Sequence, residues 1–302
     1  MDTNLPIFEV LDELIEKLVK TKRVVLTAPP GAGKSTAIPI GLNKHPTFAN
    51  GKIIVLEPRR LAAKQVASRM AETLGEKIGR TVGYRIKGET KCGKQTKVEV
   101  VTEGILIRMI QEDQQLTGVS TVIFDEFHER SLNADLGLAF CLEIACILRI
   151  DLKILVMSAT LEVSAVSKLM QDAPIVSCEG KSFPVTPRWQ KKPIVHDQFT
   201  NKLITDVILK AIGENKGGIL VFLPGEPEII KLQAFLKNEL PDNCHVLPLY
   251  GRLEFKDQQK AIKPMLDGRK IVLATNVAET SLTIDGIETV IDSGLSKKSI
   301  YE

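Results

Sequence analysis

The chain has 302 residues, 44% of them hydrophobic and 25% charged, with a formal net charge of +3. That is the composition of a soluble globular protein of about two domains, each able to bury a core of its own. So small a net charge excludes a global basic field, and any site for a polyanion has to be a local patch.

The first twenty residues include Asp2, Glu9, Asp12, Glu13 and Glu16, which does not suit a secretory signal, and no apolar run is long enough to span a membrane. None of the five cysteines, Cys92, Cys141, Cys146, Cys178 and Cys244, forms a CxxC pair. A reducing cytoplasm is expected, with Cys141 and Cys146 buried as small thiols in an apolar segment.

In chain order, Leu11, Leu14, Ile15, Leu18 and Val19 have helical spacing and predict an amphipathic helix within residues 5–20. Val24-Val25-Leu26-Thr27 predicts a buried strand entering a tight loop, with a helix from about Lys34. Apolar runs at 53–56, 98–101, 121–124 and 153–157, with helical segments between most of them, predict a mainly parallel α/β sheet. Pro184, Pro187 and Pro193, with Lys181, Lys191 and Lys192, mark a passage without helical period, and the domain junction is placed near Gly180, giving domains 1–180 and 181–302. The pattern then restarts, with strands at 217–223, 245–249, 270–274 and 288–292 and helices at 226–240 and 255–266. The two halves read as two copies of one architecture, the second incomplete.

Ala28-Pro29-Pro30-Gly31-Ala32-Gly33-Lys34-Ser35 joins the first strand to its helix. Such a turn aims backbone N–H groups and a helix N-terminus at one spot, which favours a phosphate chain. Pro30, Gly31, Ala32, Gly33, Lys34, Ser35 and Thr36 are assigned to the nucleotide, with Lys34 toward the β- and γ-phosphates and the Ser35 hydroxyl toward Mg2+. Ala28 stands where the usual pattern has glycine. Thr121-Val122-Ile123-Phe124 ends in Asp125 and Glu126, at the strand edge that faces the ligand crevice of a parallel sheet. Asp125 is the expected magnesium ligand, Glu126 a second metal-site acid that polarises the attacking water. Taken alone, His128 reads as a surface residue, and Ser158 and Thr160 as a helix cap.

These segments, together with Glu57-Pro58-Arg59-Arg60, Thr102-Glu103-Gly104, Asp125-Glu126-Phe127-His128-Glu129-Arg130, Ser158-Ala159-Thr160, Val221-Phe222-Leu223-Pro224-Gly225 and Ala274-Thr275-Asn276-Val277-Ala278-Glu279-Thr280-Ser281, stand in the order of superfamily-2 helicases of the DEAH-box type. Residues 125–135 look most like the bacterial HrpB branch, with Phe127 where the family name has Ala. The resemblance implies two RecA-like domains with ATP and Mg2+ between them and a single strand, RNA for preference, across their top. It implies a catalytic set of Lys34, Asp125, Glu126 and His128, and coupling of phosphate state to closure by His128, Ser158 and Thr160. Arg59, Arg60, Thr102 and Glu103 would face the strand from the first domain, and Thr275, Asn276 and Ser281 from the second. Arg69 would stack on the base opposite Ile262, and Asp285 would approach the ribose. Hydroxyls, amides and Arg groups on loops suit a sugar-phosphate backbone without reading its sequence. The family's arginine-finger motif belongs beyond Gly294, so a fragment of a longer protein is expected.

The reading is an ATP-dependent nucleic-acid helicase or translocase, expected to be cytoplasmic, monomeric and without a membrane partner. The alternatives are a nucleotide-dependent nucleic-acid-binding module without turnover and a P-loop ATPase that remodels proteins. Sheet edges exposed in a short second domain are where chains would pair.

Overall fold

A computed structural model of the chain describes residues 5–160, 163–180, 184–190, 200–265, 267–279 and 283–297. It divides into two compact units, Met1–Pro184 and Val185–Glu302. The first is built on an eight-stranded sheet of β1 (Arg23–Thr27), β2 (Lys52–Glu57), β3 (Val82–Ile86), β4 (Glu89–Lys91), β5 (Val98–Thr102), β6 (Val119–Phe124), β7 (Lys153–Ser158) and β8 (Ile175–Ser177). Their spatial order is 4-3-5-2-6-7-1-8. Every pairing is parallel except that of β4, which closes an antiparallel hairpin with β3.

The β-branched runs of β1, β2 and β6 are buried on both faces, the usual state of a parallel sheet covered by helices. Val24 and Leu26 join Ile53 and Val55 on one face. Val25 joins Ile54 and Leu56 on the other, as the two-residue period of a strand requires. The first face is covered by α1 (Leu11–Thr21), α2 (Lys34–Lys44), α3 (Pro46–Ala49) and α4 (Arg60–Thr73), through Leu14, Leu18, Ile38, Phe48 and Met70. The second is covered by α5 (Glu103–Glu112), α6 (Leu132–Ile147) and α7 (Ser164–Leu169), through Leu106, Leu138, Cys141 and the partly buried Val166.

Parallel pairing also aligns the functional strand ends. The register sets Glu57 beside Thr102, Leu56 beside Phe124 and Thr27 beside Ser158. All the loops that carry motifs in this unit therefore leave one edge of the sheet, where ligands bind in open α/β folds.

The second unit contains α8 (Thr200–Glu214), β9 (Gly218–Phe222), α9 (Glu226–Leu236), β10 (Cys244–Leu249), α10 (Phe255–Ile262), β11 (Arg269–Ala274) and β12 (Ile287–Asp292). Its four strands are parallel in the order 10-11-9-12. Ile219, Val221, Ile271 and Leu273 form its core with Ile208 of α8 and Leu232 of α9. The edge strand β12 alternates between half-buried and exposed, leaving Val290 58% exposed.

Two consecutive cations of β11 are buried, one on each face of the sheet. The Arg269 guanidinium donates to the carbonyls of Ala211, Ile212 and Asn215, closing the end of α8. The Lys270 ammonium, 4% exposed, donates to the carbonyls of Ala261, Ile262 and Lys263 and closes α10. Each satisfies the last carbonyls of a helix and lies at the negative end of its dipole.

Three differences from the sequence expectations have local causes. The helix expected to 266 ends at Ile262, because Lys263 is extended (ψ 154) before Pro264. The helix expected to 240 ends at Leu236. Cys141 is buried as expected, but Cys146 is exposed: it falls on the outer side of α6, 3.1 Å from the Arg23 guanidinium.

Candidate nucleotide and nucleic-acid site

The loop after β1 is shaped by its glycines. Gly31 and Gly33 have φ of 78° and 94°, a region L side chains rarely enter. A Cβ on Gly33 would stand 2.8 Å from Leu5 Cδ1, whereas one on Gly31 would meet nothing within 4 Å. Gly33 is therefore required by its backbone conformation, with Leu5 packed close against it, while a side chain on Gly31 would stand in open space. Ile7 N–H donates to the Ala32 carbonyl and Ala28 N–H to that of Ser158, bracing the loop on both sides. Pro30 is exposed, Ala32 buried, and Ser35 and Thr36 half-buried in the first turn of α2, which begins at Lys34.

Lys34 is only 4% exposed, and its ammonium lies 2.9 Å from Oε1 of Glu126. This contact joins the phosphate loop to the acid pair, which leaves β6 two strands away. Asp125 N–H donates to the Leu56 carbonyl, and Asp125 Oδ1 accepts from Glu126 N–H. Burial, then the charge of Asp125, raises the Glu126 carboxyl above its ordinary value against the pull of Lys34. A carboxylate raised by desolvation is a stronger base than one in water.

His128 follows in a single 3-10 turn, Phe127–Glu129. Its Nδ1 lies 3.3 Å from the Ala159 N–H and 3.4 Å from Glu126 Oε2. Accepting from Ala159 needs a bare nitrogen, whereas facing Glu126 favourably needs a proton, so the ring stands at a fork between two loops. Ser158 and Thr160 do not cap a helix: Ser158 Oγ accepts from Thr160 N–H, and the two hydroxyl oxygens lie 3.2 Å apart. The next helix is capped at Val163 without a side-chain bond.

Glu57 belongs to the same cluster, a role that sequence reasoning missed. It is 1% exposed, and among the described residues neither of its carboxyl oxygens, nor Oδ2 of Asp125, has a partner. Burial, then the neighbouring Asp125, holds it well above its ordinary value. A neutral Glu57 donating to Asp125 satisfies one of its own oxygens and Oδ2 of Asp125 together. The available signal was the acid ending Lys-Ile-Ile-Val-Leu-Glu, the same pattern that singled out Asp125.

The strand ends beside this cluster carry the other predicted residues. Arg59 is half-buried with Nη2 3.2 Å from Glu129 Oε2, and Arg60 donates to the Lys87 carbonyl. Thr102 is half-buried. Glu103 accepts from Ser131 Oγ at 2.7 Å, and burial raises it against that bond. Its carboxylate is thus turned to the start of α6, which Ser131 also caps. Arg69 is exposed on α4.

In the second unit, Thr275 N–H donates to the Leu249 carbonyl and precedes a 3-10 turn over Asn276–Ala278. Asp285 N–H donates to the Ile262 carbonyl, and Ile262 itself is 9% exposed, which leaves little side chain for a base to rest on. Ser281 lies outside the described residues.

These residues fit a nucleotide with magnesium. Oxygen donors suit the hard cation, and Ser35 with the partnerless Oδ2 of Asp125 supplies them. Among the described residues no group of three or more His, Cys, Asp or Glu is arranged to hold a metal unaided.

A buried parallel strand feeding a glycine loop, whose lysine reaches an acid at another strand's end, defines the first unit as a nucleotide-binding domain of the P-loop class. The DEAD/DEAH box helicase family matches residues 9–169, and the helicase conserved C-terminal domain matches residues 201–301. The chain belongs to the DEAD/DEAH box helicase family, and its two units have the RecA-like fold.

It is 50% identical over 301 residues to the ATP-dependent RNA helicase HrpB of Escherichia coli (strain K12), covering 99% of this chain and 37% of that protein. It is 37% identical to the ATP-dependent RNA helicase HrpA of the same organism, covering 99% of this chain and 23% of the relative. The crystal structure of the Escherichia coli DEAH/RHA helicase HrpB superposes with a TM-score of 0.89 at 49% identity, over 96% of this chain and 37% of that one. The chain thus spans little more than a third of the length of the HrpB that it matches.

Proposed function

We propose that this chain is the ATP-hydrolysing core of an RNA helicase or translocase, with its nucleotide site on the loop after β1. The observation that carries the reading is the Lys34–Glu126 pair at 2.9 Å, which puts a phosphate-binding cation and a candidate base in contact across the sheet. In this reading Lys34 and the loop from Pro30 to Thr36 bind the phosphates, and Ser35 and Asp125 hold magnesium, whose charge neutralises the developing phosphate charge. Glu126 orients and deprotonates the attacking water, and His128 passes its position to Ser158–Thr160.

The substrate is read from the relatives' description as RNA helicases and from the groups at the strand edge. Arg59, Arg60, Thr102 and Glu103, with Thr275, Asn276 and Ser281 in the second unit, would meet a sugar-phosphate backbone. Arg69 and Asp285 would meet the base and ribose of the nucleotide. Five free thiols suit a reducing cytoplasm, and no described helix is long and apolar enough to cross a membrane. The domain division at residue 180 and a monomeric state belong to the same proposal.

Titrations of the chain with magnesium–ATP and with single-stranded RNA at low and moderate salt test it. The proposal requires saturable binding of both, with RNA affinity that falls as salt rises. ATP binding without RNA binding at low salt would favour a P-loop ATPase acting on proteins instead.

A further inference from the structure

Six consecutive residues tie the nucleotide loop to the strand-facing loops. Glu126 faces Lys34, His128 faces Ala159, Glu129 faces Arg59 and Ser131 donates to Glu103. The segment between them is short and stiff. Glu129 N–H donates to the Glu126 carbonyl at 2.9 Å and Arg130 N–H to that of Phe127 at 3.2 Å. Phe127, 5% exposed, is set edge-on against Phe124 and lies under the Arg130 guanidinium. Only the two ends are unusual: Glu126 and Arg130, neither a glycine, have φ of 49° and 47°. A single hydrogen-bonded turn bracketed by two positive-φ residues carries all four contacts on one short, stiff block, so a displacement at Glu126 is passed to Glu129.

The block has a physical reason to move. Lys34 cannot keep Glu126 at 2.9 Å and also engage a phosphate chain with its full charge. Nucleotide therefore biases the block at Glu126, and a bound strand biases it through Arg59. Two ligands that bias one two-state element are coupled, and the coupling is reciprocal.

We propose that Glu129 is a positioning residue that links occupancy of the strand face at Arg59 to the nucleotide state at Glu126. This rests on the function proposed above. Glu129 acts through Arg59, holding one edge of its guanidinium at 3.2 Å.

The test is the affinity of a short fluorescent oligouridylate for the chain, with and without a magnesium complex of a non-hydrolysable ATP analogue. The wild-type ratio of the two affinities is expected to be about fivefold or more, in the ordinary range of allosteric coupling. Glu129→Ala should bring it to within about twofold of unity, with the analogue itself still bound. Glu129→Gln, which keeps an acceptor for Arg59, should restore most of the ratio. If Glu129→Ala fails to fold, Glu129→Asp, which draws the carboxylate back by one methylene, carries the same expectation as Ala. A wild-type ratio in Glu129→Ala or Glu129→Asp overturns this proposal alone, as does a Glu129→Gln that behaves like Ala or a wild type that binds RNA at equal affinity in both states. A wild type that binds no RNA overturns the proposed function, and this inference with it.

Discussion

The ammonium of Lys34 lies 2.9 Å from the carboxylate of Glu126, although the two residues are 92 apart in sequence and leave different strands. In the proposed function phosphate competes for that cation, and its binding would free Glu126 to act on water.

Lys34→Ala should weaken magnesium–ATP binding by about 10- to 100-fold, the worth of a charge-assisted hydrogen bond. The fold should survive, because Glu126 is already pushed toward its neutral form by burial and can take a proton when its partner goes. Calorimetric titration with thermal unfolding alongside checks both halves.

Glu126→Gln keeps the size of the side chain and an acceptor for Lys34 but removes the base. ATP affinity should stay within about threefold while single-turnover hydrolysis falls by about 10²- to 10⁴-fold. A quench-flow measurement of phosphate formation separates the two.

Glu57→Gln should stabilise the protein, increasingly so at higher pH. Burial raises the native carboxyl well above its ordinary value near 4.5, so the native state holds a proton that the unfolded chain releases. Stability is then unaffected below the unfolded value and is lost as pH rises above it, until the native carboxyl itself ionises. Thermal midpoints without nucleotide or magnesium should show the variant ahead of wild type at pH 8. The gap should nearly close at pH 4.5.

Lys270→Met should destabilise the second unit by about 2–4 kcal/mol, since three carbonyls at the end of α10 lose their donor. Amide hydrogen exchange should show protection falling in α10 and β11 more than in the first unit.

The sheets were legible because strands buried on both faces read as uninterrupted apolar runs, and the phosphate loop because its glycines, lysine and flanking elements are contiguous. Strand β8 was not. It is short, and it gains its place from pairing with β1, which is distant in sequence. The site divides along the same line. Lys34, Asp125 and Glu126 announce themselves by type and position, whereas Glu129 looks like an ordinary charged residue and the strand-end position of Glu57 was overlooked. Their roles come from what faces them: Asp125, 68 residues after Glu57, and Arg59, 70 residues before Glu129. Glu103 shows the converse, a motif residue expected on the strand face whose carboxylate is turned to Ser131.

The most direct test is phosphate release from ATP by this 302-residue chain, measured with and without single-stranded RNA. The account predicts release that rises severalfold, to about five times or more, as RNA saturates, and that disappears in Glu126→Gln. A rate that is the same at every RNA concentration, with both ligands shown to bind, would contradict the claim that one edge of the sheet serves both.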